Sequence, residues 1–404
     1  MNAHALTCRT ARLAKYLSKA RSLLRSPQSR GTRSKTKYER LLPYTPSANM
    51  ASKPCVKTRV LIMSDTHDGY QQSLQRSEPW SVDGSFRPPL PKADVLIHSG
   101  DLTMIGTMEQ YRGALNMLSS VDAELKLVIA GNHDLSLHKE YYLSHPQART
   151  IAGKHYDPAC AEQAHELWTG EAARQAGVTY LEEGMHQFTL SNGAHFSVYA
   201  SPWQPVFYDW AFNYPLTQDR WNPPNCIVQT PDLTHNVEVV PAPEESQPHP
   251  IQEGEDVDIV ITHGPPHAHL DGTFNGHRAG CPHLLNALNR VRPRLHCFGH
   301  IHEAWGAEIV KWESSGGGGG GGGRFGETGE LLGAIAGAVK GRQTPMDADA
   351  IERRANYLDV SAQGGRPLDV GKETLLVNSC IMDLRYDAKG SAWLVDIDLP
   401  LAKP

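Results

Sequence analysis

Short apolar runs rich in β-branched residues recur along this chain, and each is nearly continuous rather than alternating. They cover 59–63, 94–98, 125–130, 196–199, 257–261 and 295–298, with two more at 375–378 and 393–397. A strand with one wet face alternates apolar and polar side chains. A strand covered on both faces needs apolar groups at almost every position. Between the runs lie segments with helical character at 109–118, 159–176 and 282–291, the last opening on Pro282, which a first helical turn tolerates. Strands alternating with helices predict an α/β protein whose sheets are buried on both sides.

Two stretches break the pattern. Residues 229–255 are rich in Pro and Glu and read as a surface loop. Residues 313–372 hold eight consecutive glycines at 316–323, followed by an apolar stretch at 331–339. The glycine run is expected to be partly disordered. The apolar stretch is too short to span a bilayer, and either a short helix on the body or a docking segment suits it. No apolar run approaches the ~18 residues of a membrane span. The expected organisation is one domain over 58–400 with these two insertions, preceded by a different kind of segment at 1–57.

Charge separates that first segment from the rest. Residues 1–57 carry 13 Lys or Arg against Glu39 alone, a net +12, so with −5 overall the remainder carries −17. Leu6, Leu13, Leu17 and Leu24 allow a basic amphipathic helix. A mitochondrial presequence, a disordered basic tail, and a start at Met50 just ahead of the first strand all stay open. The acidic body argues against a stable nucleic-acid complex. Seven cysteines, an odd number with no Cys-x-x-Cys spacing, argue against a disulfide framework or a thiolate zinc site. Most read as small buried hydrophobes in a reducing compartment, the cytoplasm, with the mitochondrion as the alternative if 1–49 is a presequence.

Candidate chemistry follows the apolar runs. Asp65-Thr66-His67, Gly100-Asp101, Gly131-Asn132-His133-Asp134, Thr262-His263-Gly264 and Gly299-His300-Ile301-His302 each come directly after one. Oxygen and imidazole donors are thereby placed at strand ends around one cleft. In an extended segment Asp65 and His67, two apart, face the same side and reach one cation; His300 and His302 repeat the spacing. Asp101 follows a tight turn, and its two carboxylate oxygens allow it to bridge two metals. Asn132 offers a neutral oxygen and His263 another imidazole. This set of seven holds no thiolate and suits two divalent cations such as Mn, Fe or Zn. Gly-x-Ser-x-Gly and phosphate-cradling Gly-x-x-x-x-Gly-Lys motifs are absent from the sequence. His267 and His269 read as a solvated loop rather than cleft lining. Trp203, Trp210 and Phe212 suit either core packing or stacking on a substrate.

The ordered set resembles the calcineurin-like metallophosphoesterase family over roughly 58–312 and the closing strands from 373. Ser201-Pro202-Trp203, Trp210-Ala211-Phe212-Asn213, Thr262-His263-Gly264-Pro265-Pro266 and Arg292-Pro293-Arg294-Leu295-His296 are similar to the branch with the animal brain and fetal-brain enzymes. The resemblance implies a two-sheet β-sandwich flanked by helices, in four layers α/β/β/α. It implies Asp65, His67 and His302 on the first metal, Asn132, His263 and His300 on the second, and Asp101 between them. His133 would sit beside the phosphate and assist the leaving oxygen or stabilise the transition state, and Asp134 would orient His133. A shared water that loses a proton and attacks phosphorus would then hydrolyse a small phosphoester. A phosphodiester is favoured by the resemblance, a cyclic nucleotide among them. A phosphomonoesterase, or a weakly active metal-binding scaffold that acts by interaction, stays open. Protein partners are not indicated. The Gly-rich insert departs from the family pattern.

Overall fold

The computed structural model describes residues 53–68, 86–151, 154–227, 238–312, 329–332 and 348–402. The basic segment through residue 52 and the glycine run at 316–323 lie outside the described residues. The strands are β1 (Cys55–Met63), β2 (Ala93–His98), β3 (Ala123–Val128), β4 (Val178–Tyr180), β5 (Gly184–Thr189), β6 (His195–Ser201), β7 (Ile259–Thr262), β8 (Leu295–Phe298), β9 (Gly306–Lys311), β10 (Gly329–Leu332), β11 (Asn356–Asp359), β12 (Glu373–Asn378) and β13 (Trp393–Pro400). They form a six-stranded sheet in the order β11-β13-β1-β2-β3-β4 and a seven-stranded sheet in the order β10-β9-β12-β8-β7-β6-β5.

Period-two geometry explains why the runs are continuous. Val60, Ile62, Val95 and Ile97 face inward and meet Val198, Ile259, Ile261, Leu295 and Val377 of the other sheet. Leu61, Met63 and Leu96 face outward and are covered by Tyr111 and Leu118 of helix α1 (Met108–Ser119) and Ala164 and Trp168 of helix α2 (Cys160–Thr169). On the other sheet Val260, Phe298 and Leu376 lie under Leu284 and Leu288 of helix α3 (Pro282–Val291). The result is the expected α/β/β/α sandwich. Each such buried side chain contributes about 1.5–3 kcal/mol.

Helix starts follow local chemistry. Thr107 and Gln110 form a reciprocal capping box at the head of α1. Pro282 opens α3, as its sequence position predicts. The expected helix at 159–176 is instead two, α2 and a short helix at Glu171–Gln175, because the extended backbone of Gly170 separates them.

The segment 313–372 is more than a surface insertion. Residues 329–332, which include the first two of the apolar stretch, form β10 and pair with β9. Residues 356–359 form β11 and pair with β13. The rest of the apolar stretch, 333–339, lies outside the described residues. In 229–255, the described part returns along the body: Ile251 is buried, and Tyr199 donates its hydroxyl to the His249 carbonyl at 2.9 Å.

Within each sheet a parallel core sets the site. β1, β2 and β3 run parallel, and so do β6, β7, β8 and β12. The two sheets are joined beyond the ends of β1 and β12. There Ser64 N–H donates to Ser379 O at 3.0 Å and Ile381 N–H donates to Ser64 O at 2.9 Å.

Candidate metal centre

The turns after β1, β2, β3, β7 and β8 converge at this seam. Their backbone is unusual: Asp65, Asp101, His67 and His300 have φ of 54°, 54°, 45° and 67°. Such left-handed residues are strained unless neighbours hold them, and they concentrate at functional sites. Glycine makes the approach feasible. Gly100 has φ 96°, and a Cβ on Gly299 would collide with the Asp65 carboxylate and Ser64 Oγ.

The seven candidate ligands form one connected cluster. His302 Nε2 lies 3.2 Å from Asp65 Oδ1 and 3.2 Å from His67 Nε2. His67 Nε2 is 3.5 Å from Asp101 Oδ2, and His263 Nε2 is 3.4 Å from the same oxygen. His263 Nε2 is also 2.8 Å from Asn132 Oδ1, and its ring centroid is 5.0 Å from that of His300. Asp101 therefore occupies the centre. Asp65 and His67 converge as expected, with His67 Nε2 3.7 Å from Asp65 Oδ1, but His300 and His302 do not share a face. His302 faces Asp65 and His67, whereas His300 faces His263. The chain separates the pair because His300 is left-handed and His302 begins a short 3-10 turn.

Four imidazoles are locked in the same way. Nδ1 of His67, His133, His263 and His302 donates to the carbonyl of Thr103, Met104, Ser99 and Asp383 at 3.1, 2.9, 3.0 and 3.1 Å. A carbonyl only accepts, so Nδ1 carries the proton and neutral Nε2 is a bare lone pair. His67 and His302 thus point two lone pairs at each other, beside a carboxylate. Such a cluster of acceptors is stable only around a cation or an added proton. Divalent metal ions fit this donor set, and the carbonyls supply the outer hydrogen bonds that metal-binding histidines use.

Electrostatics agree. Burial pushes the Asp65 carboxyl up, but the adjacent imidazoles of His302 and His67 outweigh it and hold Asp65 well below the ordinary range. Burial also opposes ionisation of Asp101, yet the neighbouring His263 and His133 keep its pKa low. Burial works against a charged His263, but Asp101 and Asp65 raise it to about 9. Burial dominates at His133 and His300, which fall to about 4 and about 3. Without a metal, protons on His263 would compensate the carboxylates. Metal and proton therefore compete for the same place.

His133 lies beside the cluster, with a ligand atom within 4.8 Å of those of His67 and Asp101. Trp210 stacks on its ring at 4.0 Å, with 26° between the planes. Asp134 does not touch the His133 ring. Its carboxylate instead accepts from Gly131 N, Leu102 N, Thr103 N and Thr103 Oγ1 at 2.9, 3.1, 3.1 and 2.7 Å. It fixes the loop whose carbonyls anchor His67 and His133.

Two neighbours escaped the sequence reading. Cys380 Sγ is 3.2 Å from Asp65 Oδ2, and burial keeps it a thiol. It follows the apolar run at 375–378 as the other motifs follow theirs, which was the available signal. Tyr386 meets the rings of His67 and His302 edge-on at 5.0 and 5.7 Å, and no local pattern marks it. Trp210 was open between core and substrate; it supports His133. Phe212 is buried core, and Trp203 lies under the Arg220 guanidinium at 4.0 Å. His269 is not solvated: it is buried, with Nδ1 3.1 Å from Glu308 Oε1.

Fold and donor set together define a two-sheet α/β sandwich with a candidate metal centre at its seam. The chain belongs to the Calcineurin-like phosphoesterase family, whose model matches residues 58–304. Similar proteins include Metallophosphoesterase domain-containing protein 1 of Homo sapiens and of Mus musculus, each 34% identical over 267 residues. The match covers 65% of this chain and 65% of theirs, just under two thirds of their length. "Probable rhamnogalacturonate lyase C" of Emericella nidulans is 32% identical over 63% of this chain, but the match covers only 18% of that longer protein. A solved structure of a Thermus thermophilus protein covers 61% of this chain and 82% of that one, at 12% identity and a TM-score of 0.29.

Proposed function

We propose that this chain is a dinuclear metal-dependent phosphodiesterase acting on small phosphoesters. Asp65, His67 and His302 would hold one divalent cation, Asn132, His263 and His300 a second, and Asp101 would lie between. Two cations held so lower the pKa of water and offset charge on phosphate oxygens. The chain's own residues do the rest. Asp101 and Asp65 set the charge of the cage. His133, kept in plane by Trp210 and Met104 O, would use its bare Nε2 to take a proton from the attacking water and pass it to the leaving alcohol. Asp134 positions the loop that supports it.

The observation that carries this reading is the row of carbonyl-locked imidazoles presenting bare Nε2 atoms to two buried carboxylates. Metal analysis of purified protein comes first, with Mn, Fe and Zn as candidates. Hydrolysis of bis-p-nitrophenyl phosphate is then compared with that of p-nitrophenyl phosphate in Mn²⁺, for wild type, Asp101→Asn and His133→Ala. Diester turnover that collapses in both variants supports the proposal. Monoester preference supports a phosphomonoesterase, and equal negligible rates support a binding scaffold.

The proposed phosphoesterase domain spans 58–400. Six cysteines among the described residues are free thiols, which supports the cytoplasm. Among the described residues no helix is long and apolar enough to cross a membrane.

A further inference from the structure

We infer that His98 and His296 are positioning residues, one for each metal-binding turn. The inference rests on the dinuclear reading above. Both histidines are fully buried. His98 ends β2 and His296 lies in β8, each on the strand parallel and adjacent to the one that leads into a ligand turn. Both share a face with the outward apolar residues of their sheets, Leu96 and Phe298. An apolar side chain there would avoid the desolvation of an imidazole. Each instead reaches a threonine hydroxyl, Thr66 inside a ligand turn and Thr262 at the strand end that leads into one.

His98 Nε2 is 3.0 Å from Thr66 Oγ1, and His296 Nε2 is 2.8 Å from Thr262 Oγ1. Thr66 sits between Asp65 and His67, whose φ of 54° and 45° are both left-handed. Thr262 directly precedes His263. The Thr262 hydroxyl donates to Gly264 O at 2.7 Å, so His296 Nε2 carries the proton and is the donor. The same device thus recurs in both sheets. A buried imidazole below the turn holds a hydroxyl next to the candidate ligands, Thr66 between Asp65 and His67 and Thr262 just before His263, and so fixes those donors.

The test is Mn²⁺ titration of the full-length protein, read as bound metal per chain. His98→Leu is expected to weaken Mn²⁺ at one site by about 10–100-fold and to spare the other. Thr66→Val should reproduce that loss, the double variant should be no worse, and His98→Gln should retain affinity. His296→Leu and Thr262→Val should act in the same way on the other site. Unchanged affinity in these variants, or additive losses in the double variant, overturns the inference. A lower melting point with wild-type metal affinity also overturns it, because it marks a purely structural role. Should His98→Leu fail to fold, the nearly isosteric Thr66→Val decides alone. A wild type that binds no Mn²⁺ overturns the dinuclear reading itself, and this inference with it.

Discussion

Asp134 grips Thr103 twice, accepting its backbone N–H at 3.1 Å and its hydroxyl at 2.7 Å. Thr103 in turn offers its carbonyl to His67 Nδ1. Asp134→Asn turns an amide N–H toward donors that a carboxylate satisfied. Stability should fall by about 1–3 kcal/mol, the cost of a buried unpaired group. Metal affinity or kcat/KM should fall about 10–100-fold. Thermal melting and diester turnover measured on one preparation check both, and wild-type turnover would sink the role.

The opposed nitrogens of His67 and His302 should make stability respond to divalent metal. Chelation should lower the melting temperature, and Mn²⁺ should restore it. At 100 times Kd a ligand that binds only the native state stabilises it by about 2.7 kcal/mol. His302→Ala should lose most of that response, as read by melting curves across a Mn²⁺ series.

Trp210 should matter to rate more than to folding. A stacked pair contributes about 0.5–1.5 kcal/mol, so Trp210→Ala should lower kcat about two- to twelvefold through a looser His133. Trp210→Phe should keep most of the rate. A drop in KM-dependent binding alone would instead place Trp210 against the substrate.

Asp396 gives a pH-dependent term far from the centre. Its carboxylate accepts from Arg59 at 2.7 and 2.9 Å, from Tyr357 at 2.8 Å, and pairs with Lys57 at 3.0 Å. Burial would raise it, but these donors hold it at about 2. A folded-state pKa below the unfolded value of about 3.9 stabilises above that pH. The contribution is lost as pH falls from about 4 through about 2. Asp396→Asn should therefore be less stable at neutral pH and flatter across that window, as urea midpoints at stepped pH would show.

The sequence made the strands and most of the site legible because both are local patterns. The run at 295–298 became β8 without shift, and the motifs after the runs supplied all seven clustered donors. What the sequence hid was non-local. The face-sharing argument for His300 and His302 assumed extended backbone, which the left-handed His300 denies. Asp134 was expected at His133, yet it is held by the loop after β2, whose path no spacing reveals. Cys380 reaches Asp65 across 315 residues of chain. His269 looked solvated beside Pro265 and Pro266, but Glu308 of β9 draws it under cover.

The stretch between β9 and β12 supplies an outermost strand to both sheets. A shortened protein lacking 313–372 would leave β9 and β13 with bare backbone donors and acceptors along their margins, an open template for pairing with other chains. Such a protein should self-associate, with light scattering rising as concentration increases, even though every candidate metal ligand lies outside the deleted segment.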